Sequence, residues 1–597
     1  MKLGGLLREA FDKAGVALPE KPRKKTRHKS GKGKSGGEAK LAQQKKPQPQ
    51  AENVRPTPKQ AEVVKPSQPE KTVTVTANGT RITRWSAPEP APKPVRVTKQ
   101  TSVPEPQQDA VEPCLTIRAS ADARVTWHTL RAAKPASIET WPRSGREIHL
   151  SNNTDEKHLY LGLDFGTSSL KAVISDRDRQ LTYAVPFRDI QGVARYLLPC
   201  RVYRGTTAAG AESYNLDGHG VAFQDLKLAL LSAPDSHEAQ LNVVGFLALA
   251  LRLIRGWLLS THGATYSGEI IWDMAVGLPF ANLENEKVVS LYKTLSTAAW
   301  IASTKEQLTP AIVQQAIKRA EELTAGAPVD SGAEDVEDIA VDVHPEIAAQ
   351  IHGFVSSGAY DPNASNIYLL VDVGAGTLDA SVFRVKREAG QSKDSFAFFT
   401  TSVEPHGVMN LHRQRTGALQ RALADQLPDR ADLLQGVKSI SQLTDAEEAL
   451  PEQIADYFRG VDAQFQGETI DRQFYKRVKH QVAQETYAKV EADKLLGQQQ
   501  MRGMDMFICG GGSRSGFYQQ LNADMQSSPG CSWFGVTPKP LQRPRGLQAP
   551  GLPRSDYHRL SVAYGLSRLK LGEVVAQVPA LDVEYRRIDF SDRYIDK

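Results

Sequence analysis

The sequence predicts an α/β protein with two lobes of similar construction, and three stretches carry that prediction. From Leu159 to Asp176 (LYLGLDFGTSSLKAVISD) an apolar strand leads to Asp164, a Gly166-Thr167-Ser168-Ser169 turn and a second apolar strand. Asn366 to Val385 (NIYLLVDVGAGTLDASVFRV) repeats the order with Asp372, a Gly374-Ala375-Gly376-Thr377 turn and Asp379. Met504 to Leu521 runs an apolar strand into Gly510-Gly511-Gly512-Ser513-Arg514 and then a helical pattern.

Each stretch suits one kind of chemistry. A tight hairpin turn of Gly, Thr and Ser offers N–H groups and hydroxyls at its tip, a concavity fit for polyphosphate. An Asp closing the first strand is placed to hold a hydrated Mg²⁺ rather than the anion. Gly511 and Gly512 let the backbone approach a ligand where a side chain would clash. One such hairpin alone is an ordinary surface turn. Two hairpins that each carry an Asp, with a glycine triplet before a helix, form a combination that chance seldom gives.

In this order and spacing the stretches resemble the phosphate-one, phosphate-two and adenosine motifs of the actin, sugar-kinase and heat-shock ATPase superfamily. The ATPase domain of the DnaK-type heat-shock chaperones is the best match, through Asp372-Val-Gly-Ala-Gly-Thr-Leu-Asp379 with its second Asp. Ser561-Val-Ala-Tyr-Gly565 looks like the Ala-x-Gly helix that follows the adenosine strand. The resemblance implies a two-lobed actin-like ATPase fold of duplicated RNase H-like lobes, without the chaperones' peptide-binding domain after Gly572. It implies ATP and Mg²⁺ as ligands, with Asp164 and Asp372 across the metal. Gly166, Thr167, Ser168, Ser169, Gly374, Gly376, Thr377 and Asp379 would then lie about the phosphates. Gly510, Gly511, Gly512, Ser513 and Arg514 would lie on the nucleoside side. Lys227, in Phe223-Gln-Asp-Leu-Lys227, resembles the family lysine that reaches toward the γ-phosphate. Val343-His344-Pro345-Glu346 resembles the helix opening that begins Glu-Pro in the family, with His344 in the glutamate's place. Either Glu346 takes over the water-ordering role or that part of the machinery is weakened.

Composition sets the frame. The 597 residues allow several domains, and 40% hydrophobic content suits a globular chain. The formal charge of +6 is concentrated in the early Lys/Arg-rich stretch. Without a run of 18 or more apolar residues no membrane span is expected, and Val243 to Leu259 reads as a buried helix. Four scattered cysteines support neither a disulfide framework nor a zinc site. No secretory signal is seen, and the expected location is cytoplasmic.

In order, the chain reads as a docking helix over 1–17 and a disordered basic Pro/Lys/Gln-rich segment over 18–112, with a β-hairpin at 72–85 about Asn78-Gly79. A segment of unassigned role follows over 113–156. The first lobe covers 157–365, the second 366–572, and a C-terminal tail 573–597. Gly326 to Asp342 reads as an insertion loop, and Gly407 as the remnant of a Gly-rich turn. The main functional expectation is a chaperone-like ATPase switch that acts through a partner protein or co-chaperone. The alternatives are an actin-like filament-forming ATPase and a small-molecule kinase. The basic run from Pro22 adds nucleic acid or another polyanion as an expected partner.

Overall fold

The computed structural model describes residues 70–75, 81–86, 114–127, 137–150, 155–207, 210–279, 285–326, 339–387, 393–441, 450–528 and 533–575. The expected docking helix, the basic run and most of the C-terminal tail lie outside them.

The first lobe is built on strands β1 (Lys157–Phe165), β2 (Ser169–Asp176), β3 (Leu181–Ala184), β4 (Ile270–Leu278) and β5 (Ala340–Pro345). The second is built on β6 (Ile367–Val373), β7 (Leu378–Arg387), β8 (Asp394–Glu404), β9 (Met504–Cys509) and β10 (Val536–Pro538). Their orders are β5-β4-β1-β2-β3 and β8-β7-β6-β9-β10. In each lobe the first strand pairs antiparallel with the second and the second with the third. The first also pairs parallel with the fourth, and the fourth parallel with the fifth. The same chain path has been laid down twice, and the duplicated α/β architecture predicted from sequence is the one present.

The central strands read as near-continuous apolar runs because both faces are covered. In β1, Leu159, Leu161, Leu163 and Phe165 are buried, and in β6 so are Ile367 to Val371 and Val373. The helices that bear on the site are α1 (Leu226–Ser232), α2 (His237–Thr261), α3 (Glu286–Thr304), α4 (Glu346–Val355), α5 (Val408–Gln426), α6 (Gly516–Asp524) and α7 (Ser561–Arg568), with others between them, among them Pro310–Thr324 and Ile470–His480. Ser236 caps α2 by accepting from the Ala239 N–H at 3.4 Å, and Asn285 caps α3 in the same manner. Helix α2 is long and apolar enough to span a membrane by length and composition, yet it is mostly buried in the first lobe's core.

Helices α4 and α7 knit the lobes together. A Cβ at Gly565 would meet the Ala349 carbonyl oxygen at 1.9 Å, so α7 crosses α4 backbone to backbone. A Cβ at Gly162 would meet the Ala563 carbonyl at 2.2 Å, so the same helix lies flat on β1 of the other lobe. The Ala-x-Gly signature is thus a close-packing requirement.

Several local expectations change. Ala340 to Asp342, expected to end an insertion loop, begin β5. The predicted hairpin has strands Glu70–Val75 and Arg81–Ser86, and it joins the second lobe's sheet through parallel pairing of Arg81–Thr83 with Glu573–Val575. Glu573, expected to open a tail, therefore lies in a strand (Leu571–Val575) beside β8. The unassigned 113–156 segment serves both lobes. Its strand Cys114–Val125 pairs antiparallel with Phe458–Gln466, and Trp127 packs on His412 and Tyr457 in the second lobe. Farther on, the Gly145 carbonyl accepts from Arg255 Nε and the Ile148 carbonyl from Trp272 Nε1, both in the first lobe.

Candidate functional site

The two hairpin tips face one another across a cleft of about 180 Å³. A Cβ at Gly376 would touch Thr167 Cγ2 and Leu228 Cδ1, each at 3.4 Å, so the turns are apposed with little between them. Both turns close with the same bond: Gly166 N–H donates to Ser169 O at 3.2 Å, and Gly374 N–H to Thr377 O at 2.9 Å.

Asp164, Gly166, Thr167 and Ser168 line the cleft from the first lobe, and Asp372, Gly374, Thr377 and Asp379 line it from the second. Lys227 and Glu346 also line it, as do Gly510, Gly511, Gly512 and Arg514. Three expected ligand residues do not. Ser169 starts β2 with its hydroxyl buried and without a hydrogen bond. Gly376 turns its carbonyl to Gly407 N–H and to Asn410 Nδ2. Ser513 Oγ donates to the Gly510 carbonyl at 2.9 Å and so shapes the loop from behind.

The turn at Gly407 has a structural task. The N–H groups of Gly407, Val408 and Met409, at the start of α5, donate to the carbonyls of Gly376, Gly374 and Ala375 at 3.2, 3.1 and 2.8 Å. The helix's orphan donors are thus spent on holding the second hairpin turn from behind.

Register decides the electrostatics. In the first hairpin Asp164 stands opposite Lys171, and their side chains form an ion pair at 3.0 Å. In the second, Asp372 stands opposite Asp379. Like charges directly opposed destabilise each other. Burial, then the carboxylates of Glu346 and Asp164, push Asp372 up to about 6. Burial, then Glu346 and Asp372, hold Asp379 well above the usual carboxylate range. One oxygen of each, Oδ1, is buried with no hydrogen-bond partner. A Cβ at Gly510 would sit 2.1 Å from Asp372 Oδ1, and this residue has φ +82°, so glycine is required twice over. A pair of carboxyls that each keep one buried, unsatisfied oxygen suits a hydrated divalent cation, which would keep several waters and take one or two carboxylates.

The His344 question has a geometric answer. His344 is the next-to-last residue of β5, with a buried ring that burial pushes down to about 4, and it does not line the cleft. Glu346 opens α4 and does line it, with Oε1 accepting from Lys227 Nζ at 2.7 Å. Burial alone would lower the Lys227 ammonium, but Glu346 above all holds it above its ordinary value. A cation that stays charged beside an acid at the cleft is equipped to balance charge on a transferring group.

Sequence reading missed Lys171, Gln350, His558 and Arg559, all in the cleft wall. The Arg559 guanidinium lies flat on Gly511, where a Cβ would be 3.1 Å from its Cζ. Burial, then the neighbouring Arg514, lower it, while Asp164 and Asp372 oppose that shift. Lys171 left a signal: it follows Asp164 by the same seven positions that separate Asp379 from Asp372. Arg559 left none, because it reaches the cleft from a connection far along the chain.

No family model matches the chain, and no curated protein matches it. Among solved structures it is similar to the crystal structure of apo psk41 ParM protein, at 10% identity and a TM-score of 0.31, over 70% of this chain and 97% of that one. The strand order repeated in both lobes and the paired hairpins facing one cleft make this a two-lobed α/β protein of duplicated architecture.

Proposed function

We propose that the protein binds ATP with Mg²⁺ in the interlobe cleft and hydrolyses it, as an actin-like ATPase. The observation that carries this reading is the Asp372–Asp379 pair, each acid with one buried oxygen unsatisfied, facing Gly-rich turns and the two lysines across the cleft. On this reading Asp372, with Asp164 across the cleft, would chiefly hold Mg²⁺, which would supply charge neutralisation for the anionic ligand. The N–H groups of both turns, Thr167, Ser168, Thr377 and Lys171 hold phosphate oxygens. Arg559 and Arg514 complement the anionic ligand from the glycine-triplet side. Glu346, oriented by Lys227, positions the attacking water. Positioning and electrostatics account for most of phosphoryl-transfer catalysis.

Two outputs fit such an engine. Filament assembly is one. A heat-shock-type switch read by a partner protein is the other, and it rests on the motif resemblance alone. Phosphate release followed in parallel with sedimentation in ATP, in ADP and without nucleotide tests both. Hydrolysis with ATP-dependent polymers supports the filament form, and hydrolysis without assembly supports the switch. Absence of nucleotide binding would overturn the ATPase reading itself. Binding of a polyanion by the basic run from Pro22 is a separate proposal that rests on composition. It fails if protein lacking residues 1–108 retains the same low-salt affinity for an oligonucleotide.

A further inference from the structure

Behind the glycine triplet lies a second and larger cavity of about 1250 Å³. One wall is α6 and the end of β10. The other is a strap of chain from Lys539 to Arg554 that leaves the second lobe and adds Leu547–Gln548 as a parallel strand beside β3 of the first. Prolines 540, 544, 550 and 553 fix backbone angles along the strap.

The lining is basic, and its basic groups divide in two. Arg543 is structural: it donates to the carbonyls of Leu552, Leu547 and Ala549 at 3.0, 3.0 and 3.2 Å, which pins the strap. Lys539 stands 3.9 Å from Asp505. Arg514, Arg545 and Arg554 make no hydrogen bond or ion pair with any described residue, and all three are exposed in the groove. Three idle guanidiniums in one concavity call for carboxylates or phosphates, whose geometry the planar fork matches. The amides of Gln542 and Asn522 stand beside them. Phe, Tyr and Trp are absent from the lining, so a nucleic-acid strand would find no stacking platform. The volume also exceeds the roughly 300–1,000 Å³ of an ordinary small-molecule pocket.

We propose that this groove docks an extended acidic segment of a partner protein. Carboxylates would meet Arg514, Arg545 and Arg554, and side-chain amides would meet the peptide backbone. Arg514 and His558 line both this groove and the nucleotide cleft, so occupancy of one is felt in the other. Only that coupling rests on the ATPase reading.

The test is fluorescence anisotropy of a labelled peptide of alternating Glu and Gly, on the full chain, with ATP, with ADP and without nucleotide. The Arg545→Glu/Arg554→Glu double variant should weaken peptide binding by at least about tenfold while its nucleotide affinity stays unchanged. Unchanged peptide affinity in that variant overturns the proposal. So does stronger competition by a single-stranded oligonucleotide, or by inorganic phosphate, than by unlabelled peptide at equal charge. Equal peptide affinity in all three nucleotide conditions overturns the coupling. The nucleotide-free arm still tests the groove should ATP fail to bind at all.

Discussion

The two hairpins share a strand–Asp–turn–strand plan and differ in one cross-strand partner. In the first lobe Asp164 faces Lys171 and is neutralised within its own hairpin. In the second, Asp372 faces Asp379, and each acid has one buried oxygen left unsatisfied. The fold is duplicated, but the charge is not. A half-site with its own counter-charge is balanced within the hairpin, whereas two opposed acids must hold a proton or take a cation between them. On the proposed reading, the difference would put the metal on the second lobe's side of the cleft and turn Lys171 of the first toward the phosphates.

The comparison can be broken most severely at Asp372. Asp372→Asn should cut phosphate release on the order of 100-fold while thermal unfolding shows a folded protein. Turnover within a factor of about two of the unaltered chain would refute the assigned metal geometry. Asp379→Lys makes the second hairpin resemble the first. Calorimetry of the apo protein should show a Tm raised by a few degrees, and Mg²⁺ titration should show the metal dependence of nucleotide binding lost. A lowered Tm with intact metal dependence would mean that like-charge opposition is not what sets this half-site apart.

Lys171→Met does the reverse to the first lobe. It leaves Asp164 buried without its partner, at a cost of about 3 kcal/mol in denaturant unfolding, and it weakens ATP more than ADP. Equal loss for both nucleotides would move Lys171 away from the terminal phosphate.

The smallest expected effect is on pH. Asp372 is held up to about 6 against an ordinary 3.8, so the folded apo protein keeps a proton there that the unfolded chain releases. Its contribution to apo stability is fully present below the unfolded value and is lost as pH rises toward about 6. Mg·ATP needs the ionised carboxylate, so its affinity should rise with pH and level off above about 6. In Asp372→Asn both slopes should flatten, as calorimetric titration at several pH values would show.

Much of this was legible in the chain. Alternating and continuous apolar runs marked β1, β2, β6, β7 and β9, because a strand buried on both faces must be apolar wherever it packs. The Gly-rich turns stood out because only glycine tolerates the positive φ of Gly510 and the close approach of Arg559 to Gly511. Even the charge difference was written at a spacing of seven, since a hairpin's register follows from its turn.

Other features exist only in three dimensions. Glu346 rather than His344 meets Lys227 because β5 runs to Pro345 and places the first residue of α4 at the cleft. Cys114–Val125 pairs with Phe458–Gln466 across more than three hundred residues, and local pattern cannot choose a partner at that distance. Arg559 and the strap enter from a connection between the lobes, far along the chain from both hairpins, and packing alone brings them to the cleft and the groove. Local sequence determined which segments would be strands, turns and helices, since those choices depend on near-neighbour sterics and on which faces are apolar. Which distant segments meet, and therefore which charges are balanced and which await a ligand, was decided by tertiary packing alone.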